Sequence, residues 1–250
     1  MTEQAPENKL THPCFPQPQD TSLRVWRYLD LAKFIWVLEN QKLWLSRLDS
    51  LKDPHEGSTP RLLATTRDQF FLQKGWGQFV HQTHQINQNI RTCTYVSCWH
   101  LGNAESEAMW RLYCPDEQGL ALQTSYKKLV DSIAHDPYLY IGCVTYIDYE
   151  HGEFPLNNMF FPVIHKRVSF AHEQEVRLVK MLSEFLGLPT QIGPPGLTID
   201  WLLEPVIEAI YINPYAPEYY SDVVRAVVRR FAPALEDRVY WSRMRSDPVY

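Results

Sequence analysis

The 250-residue chain has no apolar run near the roughly 20 residues that span a bilayer, and no Cys-x-x-Cys pair. It also has no G-x-G-x-x-G after a strand and no Gly-Lys-Ser or Gly-Lys-Thr. The first absence predicts no membrane partner. The second leaves Cys14, Cys93, Cys98, Cys114 and Cys143 as an odd, irregularly spaced set. With a polar N-terminus that carries no signal-peptide pattern, these read as reduced thiols of a cytoplasmic protein. The third and fourth argue against a Rossmann dehydrogenase and a P-loop nucleotidase. Ser97 sits in YVSCW without the glycines of a nucleophile elbow, which argues against a serine hydrolase. Positive charge is scarce as well. The net charge is −5 and there is no basic tail, so duplex nucleic acid is disfavoured as a main ligand.

What is present is a core and many rings. Hydrophobic residues make up 45%, enough for one large domain to bury a substantial interior. The 8 Trp and 14 Tyr suit core edges, pockets and interfaces. Residues 1–21 are polar with several prolines and read as a flexible arm. Residues 22–250 show no repeat and no second composition regime. They read as a single α+β (mixed α/β) domain with a twisted, possibly split mixed sheet and packed helices, carrying a mainly helical insertion near 59–90.

Strand-like runs are expected near 23–28, 43–46, 93–99, 120–123, 140–146, 174–179, 209–212 and 238–242. Helices are expected after the Asp30 cap as far as Asn40, over 104–112, from Ser125 to about Ile133, after Asp200, and over 218–231. In the last, Val223, Val224, Val227 and Phe231 form the expected buried stripe. The segment LPTQIGPPGLT reads as an inserted or moving loop. His81 and His84 share a helical face, and Gly75-Trp76-Gly77 reads as a break where the insertion bends into a flap.

The polar chemistry concentrates in KRVSFAHEQEVRLVK, residues 166–180. Glu173, Glu175 and Arg177 recur at every second position, with Val176 and Leu178 between. In an extended strand this puts three charges on one face and two aliphatics on the other. Arg177 is placed to answer the two carboxylates. Arg27 shares a strand face with Leu23 and Val25 and therefore needs an anion or a carboxylate partner. The turn Asp53-Pro54-His55-Glu56 is expected to pack near Arg27 or the 173–177 strand, with an arginine rather than a metal as its partner.

The blocks RVWRYLD, LENQKLWLSRLDSLKDPHEG, YVSCWH, AMWRLYCPDEQGLAL and HEQEVRLV, in that order, resemble those of a bacterial family, domain-of-unknown-function family 2971. The resemblance covers about residues 23–242. Cys98-Trp99 departs from its usual Cys-Phe, and Val176 stands where an aromatic is common. It implies membership and a setting in bacterial or phage defence, without naming a reaction. A more distant resemblance is to ADP-ribosyltransferases of the arginine–serine–glutamate type, carried by Arg27, Ser97 and Glu173/Glu175. It implies NAD as substrate, with Arg27 on the dinucleotide phosphates and Ser97 near the nicotinamide ribose. Glu175, with Glu173 second in line, would steady the sugar cation as nicotinamide leaves. Tyr28, Tyr95 and Trp110 would stack on the rings, and Arg177 would keep Glu175 ionised. YVSCW departs from that family's Ser-Thr-Ser block, and no Gly-rich phosphate loop is present. The acceptor is left open among water, protein and nucleic acid. Two other readings stand beside this one. One is a ligand-sensing or protein-binding module without catalysis. The other is a metal-dependent nuclease using Asp53, Glu56, Glu173 and Glu175.

Overall fold

A computed structural model describes residues 12–182, 193–246 and 248. The chain enters through β1 (Arg24–Asp30), and Asp30 caps α1 (Leu31–Asn40) by accepting the Lys33 amide at 2.8 Å. Gln41 ends the helix in the left-handed region, and β2 (Lys42–Arg47) returns. A helical hairpin follows, α2 (Arg61–Gln73) and α3 (Gly77–Cys93), turned at Gly75 with φ 74°. Then come β3 (Thr94–Leu101), α4 (Glu107–Tyr113), β4 (Gly119–Ser125), α5 (Tyr126–Ser132), β5 (Leu139–Cys143) and β6 (Thr145–Ile147). The second half runs through α6 (Phe161–Ile164), β7 (His165–Arg167), β8 (Glu175–Met181), β9 (Gly196–Asp200), β10 (Ala209–Ile212), α7 (Tyr219–Phe231) and β11 (Val239–Trp241).

Nine of these strands form one mixed sheet. Its order is β11-β10-β4-β1-β3-β2-β9, with β8 also beside β3 and β5 beyond β8. Only β10–β11 is parallel within it; β6 and β7 make a small parallel pair apart. The chain is thus a single mixed α/β domain. The register assigns the faces. Val25, Leu45, Trp99, Leu122, Val176, Leu178 and Ile210 belong to the main core, which also holds Phe34 and Leu38 of α1, Leu129 of α5 and Val224 and Val228 of α7. The opposite face carries two smaller apolar clusters. One holds Val96, Val179, Ile90, Val163 and Phe15. The other holds Trp26, Tyr28, Met109 and Trp110.

Several expectations change. Residues 12–17 are not a loose arm: Phe15 is buried, and the Pro16 carbonyl accepts the Cys143 amide at 2.7 Å. Residues 1–11 of that arm lie outside the described residues. Gly196–Thr198, read as the end of the loop, instead open β9, which pairs with β2 along its length, and no helix follows Asp200. Gly196 permits this: a Cβ there would sit 2.0 Å from the Trp44 ring. The rest of the expected moving loop, 188–192, also lies outside the described residues. In α7 the buried stripe is Tyr220, Val224 and Val228, while Val223 and Phe231 are exposed. The stripe is one residue out of phase with the expected one, with Val224 common to both. None of the five cysteines is in a disulfide. No described helix is long and apolar enough to cross a membrane.

Candidate functional site

The sheet forks at β3. On one edge β3 pairs with β8 from Thr94 to His100. On the other, β1 pairs only with His100 and Leu101, and β2 only with Tyr95 and Val96. Ser97, Cys98 and Trp99 therefore face an opening between β1 and β2. Arg27 reaches across it. Its guanidinium donates to Ser97 Oγ and, at 3.2 Å, to the Trp44 carbonyl, and it lies 5.7 Å from the Trp99 ring centroid. Trp99 Nε1 donates to the same Ser97 hydroxyl at 3.2 Å. Arg27 meets no carboxylate among the described residues, and burial pulls its guanidinium down to about 10. An arginine held this way, half-buried and without a counter-ion among the described residues, suits an anion brought to it.

A charged cluster occupies the other face between the two small apolar clusters. Arg177 is fully buried and spends its donors on Glu175 (2.6 and 3.0 Å), Glu56 (2.9 and 3.2 Å) and the Val163 carbonyl (2.7 Å). Lys166 meets Glu173, Glu175 at 3.1 Å and Glu56 at 3.3 Å. Burial alone would raise the Glu175 carboxyl, but Arg177 and Lys166 outweigh it and hold it at about 2. Burial likewise opposes the charge on Lys166, and the three glutamates outweigh it and drive its pKa up. Burial, with the Glu175 carboxylate beside it, pushes the Cys98 thiol well up, so it stays protonated. The Asp53–Glu56 turn meets cations at both ends: Arg167 grips Asp53 at 2.7 and 3.1 Å, while Arg177 and Lys166 hold Glu56.

Glu173 is not on the strand. It ends a short 3-10 turn, and Gln174 follows in the left-handed region at φ 41°, so β8 begins at Glu175. The kink is held by Leu101 N donating to the Gln174 carbonyl at 2.8 Å and by His100 Nδ1 on the Glu173 carbonyl at 2.7 Å. The two glutamates still meet, through Lys166 rather than through strand alternation. Glu173 keeps the lighter grip, with Lys166 on one oxygen and the Tyr113 hydroxyl at 3.3 Å on the other.

Both assemblies line one cavity of about 980 Å³. Arg27, Tyr28, Ser97, Glu173 and Glu175 stand on its wall. Tyr28 accepts the Ser106 amide at 2.9 Å, and burial raises its phenol. Three expected ligand contacts lie elsewhere. Tyr95 is buried and bonds the Pro194 carbonyl; Trp110 is buried edge-on behind Tyr28; Arg177 is sealed inside the ion network. Period-2 alternation located the strand but not which of its residues reach the opening. The wall also holds residues that alternation could not single out: Trp36 and Trp44, edge to face at 6.0 Å, with Lys166, His100 and Tyr113. Lys166 alone left a signal, as the cation seven residues before Glu173.

No three His, Cys, Asp or Glu groups are arranged to share a metal among the described residues, and the four carboxylates of the nuclease reading each have a cationic partner. Set against family models, curated proteins and solved structures, the chain matches none of them.

Proposed function

We propose that the chain binds NAD in the fork and breaks its nicotinamide–ribose bond, as an ADP-ribosyltransferase or NAD glycohydrolase, and that it is a member of domain-of-unknown-function family 2971. One observation carries the activity. The strands bearing Arg27, Ser97 and Glu175 are neighbours, in the order β1-β3-β8, and those side chains share one cavity with Glu173. The cavity falls at the top of the roughly 300–1,000 Å³ range of sites that enclose cofactor-sized ligands. Arg27 supplies a two-pronged donor for a pyrophosphate. Trp36 and Trp44 offer flat faces to an aromatic ring. Glu56, Glu173 and Glu175 outnumber Lys166 and Arg177 by one, so this wall favours the positive charge that develops on the ribose. Glu173, the least encumbered of the three, takes the role of steadying that charge, and Glu175 holds Lys166 in place.

The test is calorimetric titration with NAD and ADP-ribose beside a nicotinamide-release assay. Arg27→Lys weakens NAD binding about tenfold or more, since a point charge replaces a fork. Glu173→Gln binds NAD and loses release. Absence of both binding and release at millimolar NAD overturns the proposal. The pinned Glu175 favours a second reading, a sensor that binds NAD without turnover. Tight binding with no release, unchanged by Glu173→Gln, selects it.

A further inference from the structure

We infer that His100 is the general base of this site, taking the proton from the hydroxyl or water that attacks the ribose; this rests on the NAD reading above. His100 is the cross-strand partner of Trp26 on β1 and of Glu175 on β8, so its ring leaves the sheet on the glutamate face, at the cavity wall. Its Nδ1 lies 2.7 Å from the Glu173 carbonyl. A carbonyl accepts only, so Nδ1 carries the hydrogen and Nε2 keeps its lone pair. Nε2 has no hydrogen-bond partner among the described residues, and it is not a buried orphan. Beside it is Gly102, where an added Cβ would stand 3.2 Å from Nε2. The groups around the ring are Glu173 and Glu175 on one side and Tyr28, at 6.5 Å between centroids, on the other. Burial lowers the pKa of the imidazole, with the Glu173 carbonyl and carboxylate opposing, so the ring is neutral and able to accept a proton at neutral pH.

The step balances without a further reagent. The C1′–N bond breaks and nicotinamide leaves neutral with the bonding pair. The acceptor oxygen forms the C1′–O bond, and its proton passes to His100 Nε2 and then to solvent. The backbone carbonyl of Glu173 fixes the tautomer of the base. Its carboxylate faces the sugar, so one residue orders both halves of the reaction.

His100→Asn tests this, because the Asn amide can still donate to the Glu173 carbonyl while offering no base at the Nε2 position. With water as acceptor, ADP-ribose formation falls about 100-fold or more, with NAD affinity within about twofold and an unchanged melt. Retention of more than about a third of the rate overturns the assignment. Nitrogen-15 histidine spectra of the unliganded protein decide independently of turnover. A ring protonated at Nδ1 and bare at Nε2 at neutral pH supports the assignment, and the opposite tautomer or an imidazolium overturns it. If the unaltered protein releases no nicotinamide, the NAD-cleaving reading fails and this inference with it. Release that survives His100→Asn overturns the base alone.

Discussion

Glu175 and Glu173 are two residues apart and both touch Lys166, yet a change to glutamine has different consequences at each. Both oxygens of Glu175 are engaged by the fully buried Arg177, and one also meets Lys166. An amide there turns an –NH2 toward cationic donors and leaves buried charge uncompensated. Glu175→Gln is expected to cost about 3 kcal/mol, since breaking one partner of a buried pair costs roughly 3–5. Glu173→Gln, which leaves Lys166 its contacts with Glu56 and Glu175, is expected to cost less than about 1.5. Urea unfolding of the two variants measures the difference. The sign with pH follows from the depressed Glu175 carboxyl. Its stabilisation is complete above the ordinary carboxylate range. It is lost as pH falls from about 4.5 toward about 2, and it amounts to on the order of 3 kcal/mol. A denaturation series across that window should show the loss in the parent protein and a smaller one in Glu175→Gln.

At the scale of elements, the α2–α3 hairpin is the part least tied to the core. No residue of α2 is buried, and α3 buries only Asn89, Ile90 and Cys93 near its C-terminal end. Its tip gathers Phe70, Phe71, Trp76 and Phe79 against one another, with three of these rings well exposed. Replacing residues 66–83 with a short polar link is expected to change stability by no more than about 1 kcal/mol in thermal melts, because none of them is fully buried. The N-terminal segment behaves in the opposite way. A Cβ at Gly142 would come within 2.8–2.9 Å of Phe15 backbone and side-chain atoms. Gly142→Ala should therefore lift Phe15 from its site at a cost of about 2 kcal/mol. Faster proteolysis between residues 12 and 20 would register the release.

For the whole molecule, the sheet has no seam along which to divide. β3, from the middle of the chain, pairs with β1, β2 and β8, and the main core draws on α1, α5 and α7 together. One cooperative unfolding transition is expected, with fluorescence and circular dichroism coincident. Two separate melts, or two protease-resistant halves, would contradict the single-domain architecture. The fork exists only at this scale. β1 and β2 meet the same edge of β3 at opposite ends, and the gap between them becomes the cavity.

Local chemistry in the sequence was enough to place much of this. Alternation located β1 and β8, and short runs of apolar, β-branched and aromatic residues located β3 and β10, because a strand buried on one face is apolar at period 2 and one buried on both faces is apolar throughout. Asp30 and Ser125 marked two helix starts, because a capping side chain bonds amides two or three residues on. The need of buried charge for a partner tied the Asp53–Glu56 turn to arginines. Tertiary structure decided the rest. Glycine and proline around 193–196 read as loop until pairing with β2 made an edge strand there. Glu173 lay in phase with Glu175 on paper, and a single left-handed residue, Gln174, took it off the strand. Tyr95, Trp110 and Arg177 had the right chemistry for a ligand but face sealed interior, whereas Trp36, Trp44, Lys166 and His100 reach the cavity. Burial and direction at such positions depend on contacts between residues far apart in the chain, 73 positions for His100 and Glu173 and 121 for Arg177 and Glu56, and periodicity reports only on near neighbours.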